Sequence, residues 1–475
     1  MSQLPYSCII GAGSSGITTA KALLERGLPF DCFDRSDDVG GNWYFNNPNQ
    51  VSSAYRLLHI DTSKSRMQYS DFPMPENYPN YAHHTQVLAY FRSYADHFGV
   101  RKRVTFNTGV EHATRDPDGL WRVRLSTGEE RRYDALFVCN GHHWDPRWPE
   151  PAFPGTFDGA AIHSHYYRDA EDFRGKNVLI LGMGNSAMDI SVECSYVANK
   201  VFLAARRGAH IIPKYLLGRP ADKWVIPWLP WWLGRKFLAP LLRLQVGRME
   251  DYGLPKPDHK LFEAHPSVSS VILDRIAHGD IVPKPNIAAL EGKRVRFVDG
   301  SSEPVDAIIY CTGYKVSFPF FDEDFISAPD NDLPLYLRIF KPEIDNLFFM
   351  GLFQPLGAIF PATEKQACLA GEYLCGRYAL PTADAMQKAI ETDRQAMFRR
   401  YVKSKRHTMQ VDFDAFMAHL KREMNAGARR AAANGNRLPI AARARADAAG
   451  APASSVPAPH SELPRGTRQP TADGR

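Results

Sequence analysis

Residues 6–34 read YSCIIGAGSSGITTAKALLERGLPFDCFD. Tyr6 to Ile10 is an apolar run of strand length, Gly11-Ala12-Gly13-Ser14-Ser15-Gly16 follows, and Ile17 to Arg26 has helix-forming composition closed by Gly27. Pro29 to Phe33 is a second apolar run that ends on Asp34. Strand, glycine turn, helix and strand in this order open a doubly wound parallel sheet. With 34 Gly in 475 residues, a bare G-x-G-x-x-G arises by accident in roughly 0.2 of such chains, so context decides its meaning. Here Gly11, Gly13 and Gly16 lie between a strand and a helix, where they let the backbone approach a pyrophosphate and the helix N-terminus supplies N–H donors. Asp34 falls where a carboxylate takes two ribose hydroxyls. The expectation is a bound dinucleotide with a free ribose diol.

The same grammar returns downstream. Asn177 to Leu181 reads as a strand, Gly182-Met183-Gly184-Asn185-Ser186-Ala187 as the turn, the chain to about Ala198 as a helix, and Lys200 to Ala205 as the next strand. Two differences matter: Ala187 stands at the third glycine, and the strand end carries Arg206-Arg207 instead of an acid. Guanidinium groups there favour a 2′-phosphate through bidentate hydrogen bonds. Gly182, Gly184, Asn185, Ser186, Arg206 and Arg207 are therefore expected to hold NADP, the alternative being NAD with two solvated arginines. One site for a diol and one for a 2′-phosphate imply FAD plus NADPH, with hydride transfer between them. The expected fold is α/β with two Rossmann-like dinucleotide-binding domains.

Between and after these units, Thr85 to Gly99 reads as a helix, Leu120–Leu125 and Glu129–Asp134 as a hairpin, and Ala135 to Cys139 as a buried strand entering Asn140-Gly141. Ala307 to Tyr310 enters Cys311-Thr312-Gly313-Tyr314 in the same way, so both look like crossings between lobes. Leu347–Met350 as a strand and Thr363–Arg377 as a helix would then complete the first domain. The expected boundaries are 1–150 and 306–425 for the FAD domain, 151–305 for the NADP domain with a helical insertion at 213–280, and a disordered Ala/Arg/Pro-rich tail at 426–475. Within the insertion, Trp224 to Gly247 carries Trp224, Trp228, Trp231 and Trp232, half of all tryptophans. Pro227, Pro230, Arg235, Lys236, Pro240 and Arg243 interrupt it well short of the ~20 apolar residues of a membrane span. It reads as a cap over the cleft, or as a foot lying on a membrane surface over 224–246.

Composition excludes other classes. At 44% hydrophobic and 23% charged the chain is ordinary globular protein. Of the +6 net charge, +5 sits in the tail, where eight Arg face Asp447, Glu462 and Asp473, so the body has no polyanion footprint and nucleic acid is not an expected partner. The seven cysteines include no C-x-x-C pair, which disfavours a redox dithiol or a structural metal. Cys8, Cys32, Cys139 and Cys311 lie in apolar runs, as reduced thiols of a cytoplasmic protein do, and MSQLPYSCII lacks the charged and apolar regions of a signal peptide. His83-His84, His142-His143 and His163/His165 have no acid or cysteine cluster at ligand spacing, so no metal is expected. No Ser/His/Asp constellation stands out either.

The stretch Phe157 to Tyr167 matches F-x-G-x-x-x-H-x-x-x-Y and resembles the signature of flavin-containing monooxygenases, the class B flavoprotein monooxygenases. Gly40-Gly41-Asn42-Trp43 resembles that family's flavin-binding G-G-x-W stretch. Gly182 to Asp189 resembles its NADP loop, Tyr310 to Tyr314 its second crossing, and Gly351 to Gly357 with Gln354, Glu364 and Gln366 its C-terminal flavin contact. The resemblance runs from about residue 5 to about 425. It implies NADPH reduction of FAD, a C4a-hydroperoxyflavin formed with O2 under the shelter of NADP+, and oxygenation of a small lipophilic substrate at N or S. His163 is implied to be structural.

One position departs from the family pattern. Asp61, in Ile60-Asp61-Thr62-Ser63-Lys64, stands where the family usually has an Asn near the flavin N5. An ionised carboxylate only accepts hydrogen bonds where an amide also donates. Asp61 is thus a candidate catalytic residue, expected to raise uncoupled peroxide release or to favour Baeyer–Villiger attack on ketones. A Baeyer–Villiger monooxygenase or an NADPH oxidase is the alternative enzyme, although Tyr167-Arg168 fits the monooxygenase signature better. A non-catalytic scaffold that senses NADPH is the rival from a different class.

Overall fold

The computed structural model describes residues 4–226, 231–401 and 408–443. The first lobe opens with β1 (Ser7–Ile10), α1 (Ser14–Leu24) and β2 (Phe30–Phe33), followed by α2 (His84–His97), β3 (Val104–Thr105) and β4 (Ala135–Val138). The second lobe contains β5 (Ala160–His163), β6 (Asn177–Leu181), α3 (Asn185–Cys194), β7 (Lys200–Ala204), α4 (Trp231–Val246), β8 (Ile281–Lys284) and β9 (Ala307–Tyr310). The chain then returns to the first lobe as β10 (Phe340–Lys341), β11 (Ile344–Phe349), α5 (Phe360–Leu374) and α6 (Phe413–Ala433).

The first sheet has the order β10-β11-β4-β1-β2-β3, parallel except for β10. The second has the order β5-β9-β6-β7-β8 and is parallel throughout. Both faces of these sheets are covered, which is why their strands read as continuous apolar runs rather than alternating ones. In the first lobe, Ile9 and Cys32 pack among α1, α2 and α5, while Cys8 and Phe33 pack on the other face against Trp121 and Tyr133 of the hairpin. In β6, Val178, Leu179 and Ile180 are completely buried. Each such aliphatic side chain stabilises by roughly 1.5–3 kcal/mol, so the register is fixed and the turns at the strand ends are held in place.

The two crossings are joined to each other. Asp145–Pro146 pairs antiparallel with Tyr314–Lys315, Gly313 O accepts from Arg147 N at 2.9 Å, and Thr312 Oγ1 donates to the Arg147 carbonyl.

Three expectations are corrected. The C-terminal helix starts at Phe360 rather than Thr363, because Pro361 is tolerated in a first turn, where its missing N–H costs nothing. The helix after the second glycine turn stops at Cys194 rather than near Ala198, and the Arg275 guanidinium takes both Ser195 O, at 2.7 Å, and Ser195 Oγ, at 2.8 Å. The chain from 426 to 443 is ordered. α6 continues to Ala433 because Gly427 lets the Tyr378 ring lie directly on the helix, where a Cβ would stand 2.0 Å from Cδ2. Ile440 then joins the core, and Arg443 N donates to Asp134 Oδ1 at 2.7 Å. A small-residue run read as low complexity is here a close packing surface. The remainder of the tail, 444–475, and Trp228 lie outside the described residues.

Candidate active site

Both glycine turns leave a helix N-terminus open. Gly13 precedes α1 and Gly184 precedes α3, no side chain caps either start, and neither first turn holds an acid. By contrast, Thr382 and Asp412 cap their helices with their own side chains, accepting from Ala385 N and Ala415 N. The free N–H groups and positive dipole ends of α1 and α3 are left for an anion, as two dinucleotide pyrophosphates require.

The glycines of the first turn are forced by contact. Gly11 has φ +102°, and a Cβ on Gly16 would stand 1.9 Å from the Gly11 carbonyl oxygen. A Cβ on Gly41 would lie 3.0 Å from Gly13 Cα, so this turn and the Gly40–Trp43 stretch form one surface bare of side chains. Asp34 is fixed beside it, Oδ2 accepting from Ala12 N at 2.5 Å and Oδ1 from Ser36 N at 2.7 Å. Burial pushes its carboxyl up against those two donors, and each oxygen keeps a lone pair for a ribose hydroxyl. Asn42 is held in turn, its Oδ1 accepting from Ser53 N and Ser53 Oγ at 2.9 and 2.8 Å.

A cleft of about 2350 Å³ lies between the lobes. A pocket for one drug-sized ligand is roughly 300–1,000 Å³, so this one has room for more than one. It brings Asn42, Trp43, Asp61 and Gln354 of the first lobe together with Gly182, Gly184, Asn185, Ser186, Arg206 and Arg207 of the second. Gly11, Gly13, Gly16, Asp34 and Gly41 lie behind that lining, and so does Gln366. It is completely buried, donating to the carbonyls of Leu337 and Arg338 and accepting from Gly351 N at 3.0 Å. With Nε2 and Oε1 both engaged, it braces the turn at Gly351. The two arginines also differ: Arg206 makes no ion pair among the described residues, whereas Arg207 is held by Asp258.

At the junction of the lobes, Asn185 Nδ2 donates to Asp61 Oδ2 at 2.6 Å, while Asn185 Oδ1 accepts from Val268 N at 3.0 Å, which fixes the amide's orientation. Lys214 Nζ lies 3.4 Å from Asp61 Oδ1. Asp189, one helical turn beyond Asn185, accepts from Tyr55 OH at 2.6 Å. Burial first, and then the charge of Asp189, pushes the Asp61 carboxyl up to about 7, with Lys214 and Asn185 acting the other way. Asp61 therefore changes charge near neutrality, at the point where the two lobes meet.

The signature stretch is a seam. Tyr167 OH donates to Glu193 Oε2 of α3 at 2.7 Å, and Arg168 donates to Ser52 O of the first lobe at 3.0 Å. His163 is fully buried, and burial lowers its ring to about 4, so it remains neutral. Residues 6–430 match the family model described as flavin-binding monooxygenase-like. The chain belongs to this family. Among curated relatives, this flavin monooxygenase is 38% identical over 427 residues to flavin-containing monooxygenase 5 of Rattus norvegicus, covering 85% of this chain and 80% of that protein. It is 34% identical over 442 residues to dimethylaniline monooxygenase (N-oxide-forming) 2 of Rattus norvegicus, covering 88% and 82%. Among solved structures, it resembles the S-allyl-L-cysteine S-oxygenase of Allium sativum at TM-score 0.68 and 26% identity, covering 89% of each chain. Cyclohexanone monooxygenase, at TM-score 0.69 and 17% identity over 92% of this chain and 99% of that one, shares the fold. The protein is a flavoenzyme using FAD, NADPH and O2, not a scaffold.

Sequence reasoning missed Lys214, Asp189, Tyr55 and Asp258. Asp189 was within reach, because a spacing of four from Asn185 puts both on one helix face. The other three meet the site only through the tertiary fold.

Proposed function

We propose that this flavin monooxygenase oxygenates a small lipophilic amine or sulfide at N or S. In this reading Gly11, Gly13, Gly16, Asp34, Gly41, Asn42, Trp43 and Gln354 serve FAD, and Gly182, Gly184, Asn185, Ser186, Arg206 and Arg207 serve NADPH. The observation that carries the two-cofactor part of this reading is the junction in the cleft, where Asp61 and Asn185 meet at 2.6 Å between two uncapped helix starts. An N-oxide-forming and an S-oxygenating protein among the similar chains support a soft nucleophile as substrate.

FAD, when bound, supplies the relay of two electrons from NADPH to O2 and the activation of oxygen. The chain's own residues supply position and protons. The uncapped N–H groups of α1 and α3 hold the two pyrophosphates, and the bare surface at Gly13 and Gly41 admits one of them closely. Burial raises the Asp61 carboxyl to about 7, so its protonated form has a proton to donate and its ionised form only accepts. Lys214 favours the ionised form, and Asn185 keeps the carboxylate facing the second lobe. The test is product analysis with NADPH in air against dimethylaniline, a methyl sulfide and a cyclic ketone. An N-oxide or S-oxide is expected; an ester from the ketone as main product would replace this reading with Baeyer–Villiger oxygenation, and H2O2 alone with an NADPH oxidase.

α4 supports a peripheral contact with lipid near the cleft mouth. No helix among the described residues is long and apolar enough to cross a membrane. α4 itself holds no acid and carries Lys236, Arg243 and Arg235, the last paired with Glu263, and Leu244 (85% exposed) and Leu217 (62%) face solvent. Apolar side chains beside cations suit an anionic bilayer surface. Co-sedimentation with anionic vesicles is expected for the wild type and should drop several-fold in Leu217→Glu/Leu244→Glu. Equal sedimentation of both proteins would remove this reading.

A further inference from the structure

The strand end that reads the coenzyme's ribose has an acid built into it from another part of the chain. Arg207 Nε donates to Asp258 Oδ2 at 2.6 Å, and Arg207 Nη2 lies 2.5 Å from the same oxygen. His259 Nδ1 lies 2.9 Å from Asp258 Oδ1. Asp258 comes from the insertion, and its approach is tight: a Cβ on Gly208 would stand 2.1 Å from the Pro255 carbonyl oxygen. Leu254, at the root of the same segment, is buried in the second lobe's core. The segment carrying Asp258 is thus seated against the end of β7 by backbone contact, and both Arg207 and Asp258 line the cleft. The His259 hydrogen bond first, and then Arg207, holds the Asp258 carboxyl below the usual range, so it is ionised at neutral pH.

We propose that Asp258 sets coenzyme selectivity by acting as a resident counter-ion that a 2′-phosphate must displace from Arg207. The proposal rests on the reading of Arg206 and Arg207 as the 2′-phosphate site. A phosphate dianion entering there meets Arg206, which makes no ion pair among the described residues, and Arg207, already neutralised by an acid that also repels the phosphate. A coenzyme with a free 2′-hydroxyl displaces nothing, and it finds in Asp258 an acceptor for that hydroxyl. The arrangement narrows the gap in affinity between NADP and NAD relative to two free arginines.

The experiment is calorimetric titration of the FAD-loaded protein with NADP+, NAD+ and adenosine 2′,5′-bisphosphate, for wild type, Asp258→Asn, Arg206→Ala and Arg207→Ala. Asp258 is 45% exposed, so its amide fits without repacking. Asp258→Asn is expected to tighten NADP+ and the bisphosphate about tenfold, the scale of one charge-assisted hydrogen bond, while NAD+ changes less than about twofold. Unchanged or weaker NADP+ binding in Asp258→Asn, with Arg207→Ala still weakening NADP+ alone, overturns the counter-ion role and leaves the site standing. NADP+ binding untouched in both arginine variants overturns the site reading itself.

Discussion

Gly16→Ala is expected to purify without yellow colour. The Cβ it adds would stand 1.9 Å from the Gly11 carbonyl oxygen and 2.8 Å from the Gly11 carbonyl carbon. Both are backbone atoms of the same turn, so no side chain can swing away to relieve the clash. The turn has to open, and opening it moves the α1 N–H groups that are left uncapped for a pyrophosphate. Flavin occupancy, read from absorbance near 450 nm against 280 nm, should fall at least a hundred-fold at equal added FAD. The rise in Tm that added FAD gives the wild type should vanish, because ligand stabilisation follows occupancy. Gly27→Ala is the control. Gly27 has φ +65° with nothing within 4 Å of an added Cβ, so this variant should lose about 1 kcal/mol to backbone strain and stay yellow. Full flavin loading in Gly16→Ala would mean that the first turn does not hold the cofactor.

Asp61→Asn is the second large effect. The amide donates where the ionised carboxylate cannot, so H2O2 released per NADPH should fall several-fold and oxygenated product rise. A separate signature appears in stability. The native carboxyl keeps its proton to about pH 7, whereas an unfolded Asp releases it near the ordinary 3.8. Between those values the native state binds more protons, and the wild type therefore loses stability as pH rises from about 4 to about 7, then levels off. Asp61→Asn has no such loss, so its Tm advantage should widen across that window and stay constant above it. Scanning fluorimetry of both proteins at six pH values measures the gap. A gap that is flat from pH 4 to 7 would show that Asp61 does not titrate there.

The parallel sheets were legible because strands covered on both faces leave apolar runs, and the turns because glycine is required where backbone meets backbone, as at Gly16 and Gly11. The side-chain type of Gln366 suits a flavin contact, and only its hydrogen bonds to Gly351, Leu337 and Arg338 reveal that it braces a turn. Lys214 and Asp258 reach the cleft from an insertion whose path no local pattern encodes. The stretch around Gly427 was misjudged for the opposite reason: small residues signal both loose chain and tight packing, and Tyr378 decides between them.

The pairing of Asp145–Pro146 with Tyr314–Lys315 has a mechanical consequence. A single tether between two bodies leaves three rotations free, but two tethers bonded side by side leave chiefly one, about the line joining them. Any opening of the cleft would turn about that line and would have to break the Asp61–Asn185 and Arg168–Ser52 hydrogen bonds as well. Coenzyme and substrate would then share one opening of one cleft, and admitting either would bear on admitting the other.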